Sequence, residues 1–249
     1  KGGSPLEFDG SLPARIGVMP KDASDASAVR WFDIQSCFAF HVANSWQDGD
    51  IVTVIAMPNK NFRLSQLSSS VKKTLDYATR LYQWNLNMKT GKVEEFPLGN
   101  NAGEFPVCDE KNRWGYKTRY LFYAAFKKDS FTGGFQRLIK HDLIGNKETV
   151  FELPKHCTAD EFVFVNQNKV QYKGDYDPSK DKESPDDNGV LMGFVYNVQT
   201  NLSELLVVNT STMTQQARVE LKHRVPHGFH GKWLTQHELD NERQLTDKQ

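Results

Sequence analysis

Short runs rich in Val, Ile, Phe, Tyr and Thr recur along this chain, separated by turn residues and almost never by a helical pattern. That rhythm limits the fold more than any other feature, because β-branched and aromatic side chains suit a pleated, half-buried surface. The runs are 14–19, 28–34, 36–44, 51–57, 80–87, 119–126, 134–142, 149–153, 161–165, 189–198, 203–209, 217–221 and 231–234. Turns such as Lys89-Thr90-Gly91-Lys92 and Ile144-Gly145-Asn146 close several of them. Only 64–75, with Leu64, Leu67, Val71 and Leu75 at three- and four-residue spacing, has a helical period, and the charged tail 237–249 reads as a short exposed helix or a frayed end. A parallel βαβ sheet needs a crossover helix between strands and is excluded. The chain therefore reads as all-β, a sandwich, barrel or propeller, and turn-linked strand pairs favour the propeller. No strict WD- or kelch-type repeat accompanies it. A single domain over 1–249 fits this length.

Composition narrows the function classes. The 31 basic and 31 acidic residues cancel, which removes the electrostatic case for nucleic acid or an anionic membrane surface. Cys37, Cys108 and Cys157 are odd in number and far apart. They suit buried, inert thiols in a reducing compartment better than a disulfide framework or a Cys-rich zinc site. No apolar run reaches the roughly 18 residues of a membrane span. The start, Lys1-Gly2-Gly3-Ser4, carries neither an initiator Met nor a targeting pattern. Asp175, Asp177, Asp181, Glu183, Asp186 and Asp187 in 172–188 do not follow the spacing of a calcium loop and read as a solvated, mobile loop.

The residues that could carry chemistry are histidines. Arg224-Val225-Pro226-His227-Gly228-Phe229-His230-Gly231-Lys232-Trp233 sets two of them among glycines that permit a tight turn and a close approach. Cys37-Phe38-Ala39-Phe40-His41-Val42-Ala43-Asn44-Ser45-Trp46 supplies a third in a similar setting. A structural or surface role is the default for any single histidine, and His141, His223 and His237 take it. His41 and His230 (or His227) differ: each follows Phe, precedes a small residue and falls at a strand end, where desolvation favours the neutral ring that a metal needs. Such a ring also needs an acceptor that fixes its tautomer. Glu104 and Glu161 are candidates, although spacing alone favours a solvent-facing strand end for both. No Gly-x-Ser-x-Gly, electropositive cysteine, phosphate loop or dinucleotide fingerprint is present.

At these residues the chain resembles the carotenoid cleavage oxygenase family. The likeness runs through Arg15-Ile16-Gly17-Val18-Met19-Pro20, Arg30-Trp31-Phe32-Asp33, the His41 block, Glu104-Phe105-Pro106, Lys117-Thr118-Arg119-Tyr120, Lys140-His141-Asp142-Leu143, 161–165, Asp186-Asp187-Asn188-Gly189 and 224–233, closest to plant-type members. It implies a seven-bladed β-propeller with a helical cap, and iron(II), Fe(2+), held on its axis by four histidines. Residue by residue, it assigns His41 and His230 as ligands, pairs Glu104 with His41 and Glu161 with His230, and leaves His227 aside. Phe162 stands where the family has proline. Phe38, Phe40, Trp46 and Phe229 become candidates to line the inner face, with core packing the equal alternative.

The same resemblance places the other two ligand histidines and one glutamate upstream of Lys1, so the chain looks like the C-terminal part of a propeller. Two of four ligands would hold iron weakly, and raw blade edges invite aggregation. The chain alone is therefore expected neither to turn over substrate nor to fold well. The implied reaction joins a lipophilic polyene with O₂ and splits one C=C into two carbonyls, the protein contributing position and dryness. Peripheral membrane contact would come from the upstream part. A plastid is the expected compartment if plant kinship holds, the cytosol otherwise. The rival readings are a metal-free binding propeller, stilbene-type C=C cleavage, and an isomerisation that consumes no O₂.

Overall fold

A computed structural model describes residues 8–59, 79–127, 134–168, 173–180, 185–228, 230–236 and 238–240. The helix expected over 64–75, Phe229 and most of the 237–249 tail lie outside them. Fifteen strands are present among the described residues: β1 (Ala14–Val18), β2 (Arg30–Ile34), β3 (Phe38–Asp48), β4 (Ile51–Asn59), β5 (Tyr82–Asn87), β6 (Val93–Pro97), β7 (Gly103–Val107), β8 (Tyr120–Ala125), β9 (Arg137–Asp142), β10 (Lys147–Glu152), β11 (Cys157–Ala159), β12 (Val163–Asn166), β13 (Gly189–Asn197), β14 (Leu202–Asn209) and β15 (Thr214–Glu220). They form a β1–β2 hairpin and three antiparallel meanders: β3-β4-β5-β6, β7-β8-β9-β10, and β11-β13-β14-β15 with β12 also on β13.

The sheets stack face to face. Ala43, Ile55 and Met57 of the first meet Leu121, Tyr123 and Ile139 of the second. Phe122, Ala124 and Leu138 of the second meet Leu191, Val195 and Leu206 of the third. Phe32 of the hairpin packs with Val52, Trp84 and Leu86 on the first sheet. Each sheet therefore buries its apolar side chains against a neighbour, as blades of a propeller do.

The last hairpin of each meander opens on the same device. Asn87, Asp142 and Asn209 turn their side-chain oxygens back onto backbone N–H groups two or three residues ahead, an Asx turn that replaces a ladder partner. A recurring turn without a strict repeat explains why sequence periodicity was weak.

Several expectations change here. The run 231–234 is not a strand, and Gly231 donates its N–H to the Glu161 carboxylate at 2.6 Å instead of to a ladder partner. β6, β7 and β11 were not anticipated, because a charged, a Gly/Pro-containing and a three-residue segment each hide the alternation. The 172–188 stretch is not simply a solvated loop. Asp186 is 2% exposed and bonds the buried Arg113, and Asp187 bonds Lys140. A buried guanidinium needs a carboxylate, and this segment supplies it.

His141 is buried on β9, as expected of a structural residue, with its Nδ1 3.7 Å from Glu148 Oε1. Glu148 also accepts from the Tyr123 hydroxyl and the Asn101 amide. Burial would raise its pKa, but the facing His141, Tyr123, Asn101 and the Asn100 N–H together outweigh burial and hold the carboxyl at about 2, below its ordinary 4.5. A folded pKa below the unfolded one means the folded state binds fewer protons, so this stability is complete above pH 4.5 and is lost as pH falls towards 2. Urea midpoints measured across that window should fall more steeply for the wild-type chain than for Glu148→Gln.

Candidate metal centre

The first-strand edges of the three sheets, β3, β7 and the β11/β12 pair, are each irregular where a candidate residue sits. β3 loses register with β4 between Ala39 and Val42 and again before Asn44, so His41 falls in a bulge rather than at a strand end. β7 loses register with β8 between Glu104 and Val107, and Phe105 there has φ +56°. The innermost strand of the third sheet is broken between β11 and β12, and Asp160, Glu161 and Phe162 fill the gap. Bulges and breaks of this kind re-aim side chains that a regular pleat would direct along its two faces.

The four residues singled out by resemblance meet here. His41 Nδ1 is 2.7 Å from Glu104 Oε2, and His230 Nδ1 is 3.2 Å from Glu161 Oε1. The two imidazoles, from positions 41 and 230, stand 5.2 Å apart between centroids at an interplanar angle of 79°. Carboxylates only accept, so each Nδ1 carries a proton, and in the neutral ring Nε2 keeps its lone pair. The carboxylates are themselves held: Glu104 Oε2 accepts the Phe105 N–H at 2.9 Å, and Glu161 Oε2 that of Gly231.

The apolar setting expected to keep the rings neutral does not prevail at His41. Its hydrogen bond to Glu104 raises its pKa; burial opposes this and is outweighed, and the charges of Glu104 and Glu161 add to the rise. Phe40 is 45% exposed and His230 lies on the surface, whereas His41 is partly buried beside the Phe105 ring. The glycines also behave differently from expectation. Neither Gly228 nor Gly231 lies in the left-handed region, and a Cβ at either would meet nothing within 4 Å. Side-chain hydrogen bonds, not steric need for glycine, shape that segment.

Of the aromatic candidates, Phe38 stacks edge-on against Phe40 at 4.7 Å, and Phe40 lies 6.2 Å from the His41 ring. Trp46 packs against the core between the first two sheets. A residue the sequence did not single out sits closer. The ring of Phe105 is 5.0 Å from that of His41 and 6.1 Å from that of His230, and it leans edge-on against Phe135. Its positive φ, ahead of Pro106, costs on the order of 1–3 kcal/mol and is retained at the candidate site. The only signal in the sequence was the pairing of a bulky residue with the following proline.

Two imidazoles with fixed tautomers and free Nε2 atoms fit a transition metal that accepts nitrogen ligands. They are a partial set: among the described residues no group of three or more His, Cys, Asp or Glu side chains converges. An apolar cleft of about 490 Å³ borders His230 and is lined by Val163, Met192, Phe194, Leu205, Val225 and Trp233.

The sequence profile of the family described as RPE65, retinal pigment epithelial membrane protein, matches residues 1–235. A carotenoid 9,10(9',10')-cleavage dioxygenase of Crocus sativus is 32% identical over 253 residues, covering 96% of this chain and 44% of the relative. The carotenoid 9,10(9',10')-cleavage dioxygenase 1 of Arabidopsis thaliana is also 32% identical, over 94% of this chain and 43% of its own length. A carotenoid cleavage oxygenase of Mycobacterium tuberculosis is 29% identical over 92% and 44%. The chain thus spans less than half the length of these relatives. Among solved structures, cobalt-substituted Synechocystis ACO matches with a TM-score of 0.76 at 22% identity, over 92% of this chain and 45% of that one. An ACO/RPE65 chimera matches at 0.75 and 23%. These likenesses identify the stacked sheets as part of a propeller.

Proposed function

Because the chain belongs to the RPE65 and carotenoid cleavage oxygenase family, we propose that it forms part of a non-haem Fe(II) dioxygenase acting on a carotenoid or apocarotenoid. The reaction would cleave one C=C bond with O₂ and give two carbonyl products. One observation carries this reading: two imidazoles from opposite ends of the chain face each other, each with its Nδ1 tied to a carboxylate. The names of the relatives, all carotenoid-cleaving, support the substrate class.

In this reading His41 and His230 hold the iron through Nε2. Iron(II), when bound, supplies the redox chemistry that makes O₂ reactive towards an alkene. Glu104 and Glu161 keep each Nδ1 protonated and each ring in place. Phe105 closes the side shared by both rings, excluding water from a reaction that needs no acid or base. The cleft beside His230 offers apolar wall to a lipophilic chain. With less than half of the relatives' length present, the remaining ligands would come from the rest of the protein.

The test uses the protein expressed in its complete reading frame, incubated with carotenoids, apocarotenoids and stilbenes under ¹⁸O₂. Two carbonyl products, each labelled, are expected from a carotenoid or apocarotenoid, together with loss of turnover and of iron in His41→Ala and His230→Ala. Isomerised substrate without label, cleavage of stilbenes alone, or iron content indifferent to both substitutions would overturn the reading.

A further inference from the structure

Among the described residues, 222–234 makes no backbone–backbone hydrogen bond and belongs to no strand. His230 nevertheless needs a fixed position within it, and sterics do not supply it, since a Cβ at Gly228 or Gly231 would meet nothing within 4 Å. Unconfined glycine backbone has the most freedom to lose on ordering. The segment must be held from outside, and His230 bonds Glu161 at only 3.2 Å across an exposed surface.

A shorter bond lies three residues earlier. His227 Nδ1 is 2.6 Å from Asp160 Oδ2, and Asp160 is the neighbour of Glu161 in the break between β11 and β12. The His227 ring stands edge-on to Tyr196 at 5.8 Å, and the Arg224 guanidinium covers the Tyr196 ring at 4.6 Å. Tyr196 lies on β13 and is pinned by its hydroxyl to Asn201 at 2.7 Å. Val225, between them, donates to Ser203 Oγ at 2.9 Å. Consecutive acids on one rigid gap thus grip histidines 227 and 230, and an aromatic platform backs the first.

We propose that His227 is a positioning residue: through Asp160 and Tyr196 it anchors the 224–233 segment so that His230 faces His41. His227 stands apart from the ligand pair by its ring contact: His41 and His230 face each other, whereas the His227 ring meets Tyr196 edge-on. The inference rests on the metal-centre reading for its purpose, but the clasp itself is a property of the metal-free chain.

Three readouts on the full chain test it. In the metal-free protein, the Gly231 amide should exchange at least tenfold faster in His227→Ala, while β8 amides stay protected. Long-range ¹H–¹⁵N spectra should show the His230 ring passing from one fixed tautomer to an average of two. With cobalt(II) as the probe, the dissociation constant should rise at least fivefold. His227→Asn, whose side-chain amide places a donor close to where Nδ1 stood, should restore most of each change. Unaltered Gly231 exchange and His230 tautomer in His227→Ala would overturn the clasp, as would a His227→Asn variant as impaired as the alanine with β8 intact. Should His227→Ala lose the fold altogether, retained Gly231 protection in His227→Asn supports the proposal and its loss defeats it. A wild-type chain that takes up no cobalt would count against the metal centre alone, because the exchange and tautomer data are recorded without metal.

Discussion

Asp186→Ala is expected to lower the stability of the fold by about 3–5 kcal/mol, the usual cost of stripping one partner from a buried ion pair. Asp186 is 2% exposed, and so is Arg113, whose Nε it accepts. The second carboxylate oxygen accepts the Arg119 N–H at 2.8 Å and the Thr118 hydroxyl at 3.2 Å. The variant therefore strips a buried guanidinium of this carboxylate, while its Nη1 still donates to the Gly174 carbonyl at 3.0 Å. The damage should spread towards the candidate site, because the Arg113 carbonyl receives the side-chain amide of Asn44, three residues along β3 from His41. Asp186→Asn keeps the shape and two acceptor lone pairs and should cost less. Glu94→Ala breaks the solvent-exposed Lys92–Glu94 pair, at 2.9 Å, and should shift stability by under about 0.5 kcal/mol. Urea denaturation of the three variants checks the ordering. Equal midpoints for Asp186→Ala and Glu94→Ala would show that the Arg113 site is not sealed from water.

The same pair shows what a sequence hides. Asp186 sat in a stretch of Asp, Lys, Ser and Pro that looks soluble residue by residue, and its partner is 73 positions away. No local pattern reports a contact of that span. Long apolar runs such as β4 and β8 were legible because strands buried on both faces carry β-branched, aromatic and other apolar residues in near-continuous sequence. β7 was not, because it starts with Gly103 and carries Pro106, both of which read as turn. The irregularity that concealed it also aims Glu104, so a strand that was hard to find borders the candidate site. His41, His230 and their carboxylates were legible through resemblance, not spacing; their tautomers, the rise in the His41 pKa and the Phe105 wedge follow only from the bulges.

Gly103→Ala is expected to cost more than about 2 kcal/mol and to move Glu104 away from His41. A Cβ on Gly103 would lie far inside contact distance of the Ala124 carbonyl oxygen and 2.9 Å from Tyr123 Cδ2. Neither neighbour has room to yield. Ala124 is a backbone partner in the β7–β8 ladder, and Tyr123 is 2% exposed. Gly103 is also fixed by Thr79, which accepts its N–H at 3.0 Å and donates its hydroxyl to the Gly103 carbonyl. Overpacking against an immobile core costs roughly 1–3 kcal/mol, and the lost ladder bond adds to it. Relief must come from sliding β7, which carries Glu104 with it. Gly231→Ala is the informative counterpart. It lies directly beside His230, yet its Cβ would meet nothing within 4 Å and its φ is outside the left-handed region. It should be neutral or slightly stabilising, since alanine narrows the unfolded ensemble. Thermal melts give the stability difference, and the His41 ring proton seen by NMR reports whether Glu104 still holds it. A Gly103→Ala chain that melts like wild type and keeps that proton would mean β7 is not packed against Ala124 as described. A Gly231→Ala chain that loses stability would mean the space around residue 231 is not open as described.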